Sequence, residues 1–338
     1  MKLKFTPHTL FLKYPFTLSV GTRISTPIVI TEIEHNGIIG YGEASMPPYL
    51  GENHETVLNF LSKIDLSSFK NPFEIDFILS EIAQIETGNN AAKTAVDIAL
   101  HDLVGKILNE PCYKILKIKK EKLPLSSITI GIDSDKKIMQ QKIKDAENFK
   151  LLKVKLGSED DKKIIKTICS LTNKPFSVDI NQGWKDKYFA LDMIFWLQEM
   201  GAIFIEQPLP KEKIDEMAWL TESSPLPTIA DEAVKRLSDI PQAKNVYDGI
   251  NIKLMKSTGI NEAMKMISLA KSFGMKILIG CMSETSCGIS AAAQLAPLCD
   301  WADLDSNLLI KNDLFEGMKI VDGRVSLNEL AGIGVKKL

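Results

Sequence analysis

The sequence predicts an α/β fold: a closed parallel β/α barrel preceded by a smaller α+β domain. Three observations carry this reading. The first 45 or so residues alternate and turn like an antiparallel meander. From about residue 123, short apolar runs alternate with helical patterns through eight units spaced roughly 25 residues apart. Charged residues recur at the C-terminal ends of those runs, where a barrel gathers its chemistry.

In chain order, the meander comprises "TPIVITEIEH", a turn at Asn36-Gly37, and "IIGYGEAS". Residues 46–52, MPPYLGE, read as a loop from their Pro and Gly content. From Glu55 to about Leu108 the apolar spacing is helical, most clearly in "NNAAKTAVDIALHDLVGKIL". Gly37, Gly40 and Gly42 resemble a phosphate loop only superficially. No Lys-Ser/Thr pair follows and no helix begins there, so hairpin packing is the expectation. The barrel strands are LSSITI (125–130), LLKVKL (151–156), PFSVDI (175–180), AIFIEQ (202–207), PTIADE (227–232), GINIKL (249–254), KILIGC (276–281) and WADLDS (301–306). Helical stretches such as "DKKIIKTICSLT" and "NEAMKMISLAKSFG" lie between them. A doubly wound open sheet is the alternative, but eight evenly spaced units favour closure. The division expected is a capping domain over 1–115, the barrel over 116–314, and a segment over 315–338 that returns to the cap.

Composition narrows the function classes. Of 338 residues, 45% are hydrophobic and 25% charged, as in soluble globular proteins. The 41 basic and 43 acidic residues give a net charge of −2, so no basic excess points to nucleic acid or a membrane surface. Lys2, Lys4, Pro7 and Lys13 interrupt the N-terminus before an apolar segment can form. No signal peptide is therefore expected, and the location expected is cytoplasmic. Five cysteines without a CxxC pair are read as reduced, mostly buried thiols. The four histidines all lie within the first 101 residues, and no HExxH or GxSxG motif occurs. Chemistry in the barrel must therefore use carboxylates and lysines.

The strand ends supply both. Lys153 and Lys155 stand one residue apart on the second barrel strand and so point the same way. Asp179, Glu206 and Asp231 close strands three, four and five, and Lys253 closes strand six. Three converging carboxylates are costly without a cation among them. All-oxygen ligation suits a hard ion, most plausibly Mg²⁺. Lysines on strands two and six face each other across that ion. This is the geometry for removing a proton from one face of a carbon and returning one to the other. The metal and an ammonium would stabilise the resulting enediolate. Any one of these acids alone reads as a helix cap or a loop salt bridge. Lys256 is read as a solvated loop residue and His101-Asp102 as structural.

With these motifs in place (Lys153-Val-Lys155, Asp179-Ile-Asn181, Glu206-Gln-Pro208, Asp231-Glu232 and "NIKLMKSTG"), the sequence resembles the enolase superfamily, in its muconate-lactonizing subgroup. The resemblance covers nearly the whole chain and implies a modified (β/α)7β TIM barrel under an N-terminal capping domain. Asp303-Leu-Asp305 is the feature most similar to dipeptide epimerases. The resemblance implies Lys155 and Lys253 as acid/base catalysts, Lys153 on the substrate carboxylate, and Asp179, Glu206 and Asp231 as Mg²⁺ ligands. Asp303 and Asp305 would hold the ammonium of a small dipeptide. Thr129, Cys281 and Ser283 would line it, the last two largely through backbone. Arg23, in the segment "SVGTRIST", matches the arginine that reads an acidic side chain in Glu-specific members. Ser283 stands where an aliphatic residue is expected. The implied role is 1,1-proton transfer on L-Ala-D/L-Glu or related dipeptides from peptidoglycan turnover, in an enzyme able to form a homo-oligomer. An o-succinylbenzoate synthase or muconate cycloisomerase, a Schiff-base lysine lyase and a non-catalytic barrel are the alternatives.

Overall fold

The computed structural model describes residues 1–18, 21–47, 50–131 and 136–338. Ser19 and Val20 of "SVGTRIST", and Pro48 and Tyr49 of the expected 46–52 loop, lie outside the described residues. The meander is present: β1 (Lys2–Leu18) pairs antiparallel with β2 (Gly21–His35), which pairs with β3 (Ile38–Ser45). Asn36 and Gly37 both take positive φ, 51° and 80°, as a two-residue hairpin turn requires.

Three helices follow, α1 (His54–Ser62), α2 (Ile75–Ile85) and α3 (Asn90–Leu108), then a single turn α4 (Cys112–Ile115). α3 is buried on all sides from Ala91 to Gly105, its polar residues Lys93, Thr94, Asp97, His101 and Asp102 included. It lies directly on β3. A Cβ at Gly40 would stand 2.1 Å from Ala99 O, and one at Gly42 1.9 Å from Ala95 O. Those two glycines serve helix–sheet contact rather than the hairpin packing expected, because the helix backbone approaches the strand where they stand.

The barrel follows as eight parallel strands in chain order. They are β4 (Ser127–Ile130), β5 (Leu151–Lys155), β6 (Phe176–Asp179), β7 (Ala202–Glu206), β8 (Thr228–Ala230), β9 (Gly249–Lys253), β10 (Lys276–Gly280) and β11 (Trp301–Asp303). The ring closes where Ser126 bridges Ala302 in parallel and Ala302 N donates to Leu125 O at 3.1 Å. Outside lie α5 (Lys136–Asp145), α6 (Asp161–Leu171), α7 (Lys187–Glu199), α8 (Ile214–Ser223), one-turn α9 (Ile240–Ala243) and α10 (Leu254–Ser257), α11 (Ile260–Ser272) and α12 (Ser286–Ala293). Phe204, Ile229 and Leu278 fill part of the barrel interior as a separate apolar cluster, against the Trp301 ring 4.7 Å from that of Phe204. Every residue of β5 and β9 is buried.

The cap is tied to the barrel by backbone-directed bonds. Asp97 on α3 accepts from Ile260 N (2.6 Å) and Asn261 N (3.1 Å), and Glu43 on β3 accepts from Thr285 N (2.9 Å) and Gly288 N (3.0 Å). The last residues lie against the cap: Ile333 N donates to Asp102 Oδ1 at 3.0 Å, and Phe315 meets Tyr41 edge-on at 5.3 Å. His101 and Asp102 belong to this interior, consistent with a structural reading. The cysteines are all unpaired. Cys112 and Cys287 are buried, while Cys169, Cys281 and Cys299 are only half-buried. No helix among the described residues is long and apolar enough to cross a membrane.

Candidate active site

At the C-terminal mouth of the barrel lies a cavity of about 970 Å³, lined among others by Arg23, Thr129, Lys153, Lys155, Lys253, Cys281, Ser283, Asp303 and Asp305. Asp179, Glu206 and Asp231 lie at its base, at most 3% exposed, with one carboxylate oxygen from each within 4.8 Å of the others. The strand register brings them together: Asp179 pairs with Glu206 across β6–β7, and Glu206 with Ile229 across β7–β8, two residues before Asp231. Every residue the sequence nominates is thus at or beneath one cavity.

The turns after these strands hold unusual backbone. Asn181, Gln182 and Gln207 take φ of 46°, 65° and 39°, conformations seldom kept by non-glycine residues except where surroundings enforce them. Gln207 supplies much of that enforcement. Its buried side chain accepts from Asp231 N (3.0 Å) and Ala233 N (3.2 Å) and donates to Leu209 O (3.0 Å) and the Tyr247 hydroxyl (2.9 Å). The strand-four and strand-five ends are therefore locked to one another.

Each carboxylate has one oxygen held by an outer donor and the other turned toward lysine. Asn181 N donates to Asp179 Oδ1 (3.1 Å), Asn251 Nδ2 to Glu206 Oε1 (2.7 Å), and Lys256 Nζ to Asp231 Oδ1 (2.6 Å). On the inward side Lys155 donates to Asp179 Oδ2 (2.7 Å) and Lys253 to Asp231 Oδ2 (2.7 Å). Lys153 is shared among Glu206 Oε2 (2.7 Å), Asp303 Oδ2 (2.9 Å) and Asp179 Oδ2 (3.0 Å). Its approach to Glu206 Oε2 is Coulombic and off the hydrogen-bond direction, which leaves that oxygen without a hydrogen-bond partner. Outer donors that fix ligand carboxylates in this way are characteristic of metal sites. The all-oxygen triad, with a buried oxygen lacking a hydrogen bond, fits Mg²⁺.

The electrostatics follow from burial set against neighbours. Burial pulls the Lys153 ammonium down, but Asp303, Glu206 and Asp179 outweigh it and hold it well above its ordinary value. Burial pushes Asp231 up, but Lys253 and Lys256 hold it well below the usual carboxylate range. Glu206 has no such majority, and burial with the charge of Asp179 raises it. At the other end of the cavity burial and Asp303 push Asp305 up, although Thr129 N donates to it at 2.5 Å.

Sequence reasoning missed four supports. Lys256 is the plain correction: not a solvated loop residue but 2% exposed, donating also to the carbonyls of Asp231 (2.7 Å), Val234 (2.9 Å) and Asn251 (3.0 Å). The one-turn α10 directs its ammonium beneath strand five. Asn251 was legible, since it lies two residues before Lys253 on the same strand face. Ser127 Oγ donates to Asp303 Oδ1 (2.8 Å) and carries the same two-residue signal relative to Thr129. Gln207 had no such signal. Arg23 lies on β2, and its Nη2 donates to Ser283 Oγ at 3.1 Å. Ser283 lines the cavity as expected of a residue beside the substrate, and its carbonyl accepts from Ser45 Oγ at 2.7 Å.

Residues 2–116 match the family described as "Mandelate racemase / muconate lactonizing enzyme, N-terminal domain", and residues 138–337 match "Enolase C-terminal domain-like". The chain belongs to the enolase superfamily. It is 53% identical over 338 residues to an L-Ala-D/L-Glu epimerase of Bacteroides thetaiotaomicron, covering 100% of this chain and 88% of that one. Two solved structures share the fold throughout. One is an N-succinyl Arg/Lys racemase of Bacillus cereus (TM-score 0.92, 28% identity, 99% and 95% covered). The other is a dipeptide epimerase of Enterococcus faecalis with Mg and L-Leu-L-Tyr (TM-score 0.89, 31% identity, 98% of each chain covered). Within the superfamily the chain groups with the dipeptide epimerases, which are isomerases.

Proposed function

We propose that this enzyme epimerises the α-carbon of the C-terminal residue of a dipeptide, with Mg²⁺ as its resident cation and a preference for an acidic C-terminal residue. The observation that carries the reading is the opposition of Lys155 and Lys253. β5 and β9 are four strands apart in a ring of eight, so the lysines stand on opposite walls with the carboxylate triad between them.

When bound, the cation supplies positive charge that draws electron density from the substrate's α-carboxylate and makes the neighbouring C–H more acidic. Lys153, held as an ammonium by three carboxylates, adds a second positive contact for the same carboxylate. One of Lys155 and Lys253, as the free amine, takes the α-proton from its face. The other, as the ammonium, returns a proton to the opposite face and inverts the centre. The two exchange roles for the reverse direction.

Asp303 and Asp305 meet the substrate's ammonium, with Ser127 and Thr129 holding the two carboxylates in place. An N-succinyl or o-succinylbenzoyl substrate brings a carboxylate to that end and would be repelled. Arg23 faces the side chain of the C-terminal residue, and the name of the Bacteroides thetaiotaomicron relative supports glutamate there. Dipeptides of this kind arise from peptidoglycan turnover. On this reading the cap (1–115), the barrel (116–314) and the returning segment (315–338) enclose one site.

The test is α-proton exchange in D₂O, followed by NMR across a dipeptide library with free and N-acetylated members. Exchange and inversion are expected for free dipeptides. Asp305→Asn should lower kcat/KM for them by about one to two decades, the equivalent of one buried charge-assisted contact. An N-acetyl dipeptide turned over as fast as its free counterpart by wild type would end the dipeptide assignment.

A further inference from the structure

We infer, resting on the reading of Arg23 above, that Ser283 is a positioning residue that holds the Arg23 guanidinium ready for an acidic substrate side chain. Arg23 reaches the cavity from the cap, and its Nη2 donates to Ser283 Oγ at 3.1 Å. An arginine standing free would have many rotamers to lose on gripping a carboxylate. Fixing it beforehand removes part of that loss from the binding step.

Ser283 can serve as such a fixed point because its own chain segment is pinned on both sides. It is 8% exposed, and its carbonyl accepts from Ser45 Oγ of the cap at 2.7 Å. Immediately before it, Met282 N donates to Glu284 Oε1 (2.7 Å). Immediately after it, Glu284 N donates to Ser306 Oγ (2.5 Å) and Thr285 N to Glu43 (2.9 Å). The hydroxyl therefore sits on a segment held by both domains.

The chemistry of the anchor matters as much as its rigidity. An aliphatic residue at 283 would offer the guanidinium no acceptor. A carboxylate there would neutralise Arg23 and compete with the substrate. A serine hydroxyl orients one edge of the guanidinium without cancelling its charge, which a substrate carboxylate can then meet.

The test uses the Mg²⁺-loaded full chain and two substrates of nearly the same shape, L-Ala-L-Glu and L-Ala-L-Gln, which differ in side-chain charge. The readout is the ratio of their kcat/KM values, in which the active fraction of any variant cancels. Ser283→Ala should lower that ratio about three- to tenfold, the scale of one hydrogen bond involving a charged group. Ser283→Thr, which keeps the hydroxyl, should restore most of it. In an Arg23→Ala background, Ser283→Ala should no longer move the ratio. An unchanged ratio in Ser283→Ala, or the same drop with and without Arg23, overturns the inference. If Arg23→Ala itself leaves the wild-type ratio intact, the reading of Arg23 fails, and the role of Ser283 fails with it.

Discussion

Replacing Lys256 by methionine separates two accounts of the same residue. Methionine keeps most of the apolar stem and removes the ammonium. In the structure that ammonium, 2% exposed, is bonded to Asp231 Oδ1 and to three main-chain carbonyls. Removing one partner of a buried ion pair costs about 3–5 kcal/mol, because the remaining charge is left without compensation. Asp231 keeps Lys253 at 2.7 Å, which places the cost toward the lower end. The melting entropy is about 2.1 cal/mol/K per residue, or about 0.7 kcal/mol/K for the whole chain, so the loss lowers Tm by roughly 4–7 °C. A solvated lysine would change stability by no more than about 0.5 kcal/mol, under one degree. Scanning calorimetry of both proteins in EDTA makes the comparison without a cation and tests the protein's own bonds. A Lys256→Met Tm within one degree of wild type would refute the assignment of Lys256 as the clamp on Asp231.

Chelation should abolish turnover and added Mg²⁺ restore it; full activity in excess EDTA would remove the cation from the mechanism. Replacing Lys155 or Lys253 by alanine should each lower epimerisation by at least ~10²–10⁴, while each variant still exchanges the α-proton of one epimer in D₂O. Two variants that both still epimerise at wild-type rates would rule out opposed bases. Glu43, fully buried at the cap–barrel junction, is pushed up by burial from 4.5 to about 7 despite bonds from Thr285 and Gly288. Its carboxyl ionises in the unfolded chain first, so its contribution to stability is complete below pH 4.5 and is lost as pH rises through about 7. The Tm of wild type relative to Glu43→Gln should fall across that window and level off above it; a flat difference would show that Glu43 titrates normally.

The fold was legible because its signals are local. Eight apolar runs, each followed by a helical pattern, need no tertiary knowledge, and all eight expected strands are present, with β8 and β11 trimmed to three residues. The carboxylate triad and its lysines were legible for the same reason: strand alternation and βα spacing place them without reference to the rest of the chain. What the sequence concealed depends on contacts between distant segments. Arg23 and Ser283 are 260 residues apart and meet only because the cap hairpin overhangs the barrel mouth. Lys256 is three residues beyond Lys253, and only the one-turn helix α10 turns it beneath Asp231 rather than out to solvent. Asn251 is intermediate: its strand parity was available, but nothing local says that an amide there would meet Glu206.

The balance of charge at the barrel mouth argues against lysines and acids that merely neutralise one another. Five carboxylates (Asp179, Glu206, Asp231, Asp303 and Asp305) face four lysines (Lys153, Lys155, Lys253 and Lys256), and all nine are at most 7% exposed. A self-sufficient set would satisfy each acid. Here Lys256 is committed to the outer oxygen of Asp231, and Lys153 is divided among three acids. The deficit is localised: Glu206 and Asp305 are the two acids pushed up, one at the triad and one at the far end. A buried anion short of partners calls for positive charge from outside. A divalent cation meets that need at the triad and a substrate ammonium meets it at Asp305, so among these five acids the two pushed up correspond to the two things the reaction must bring in.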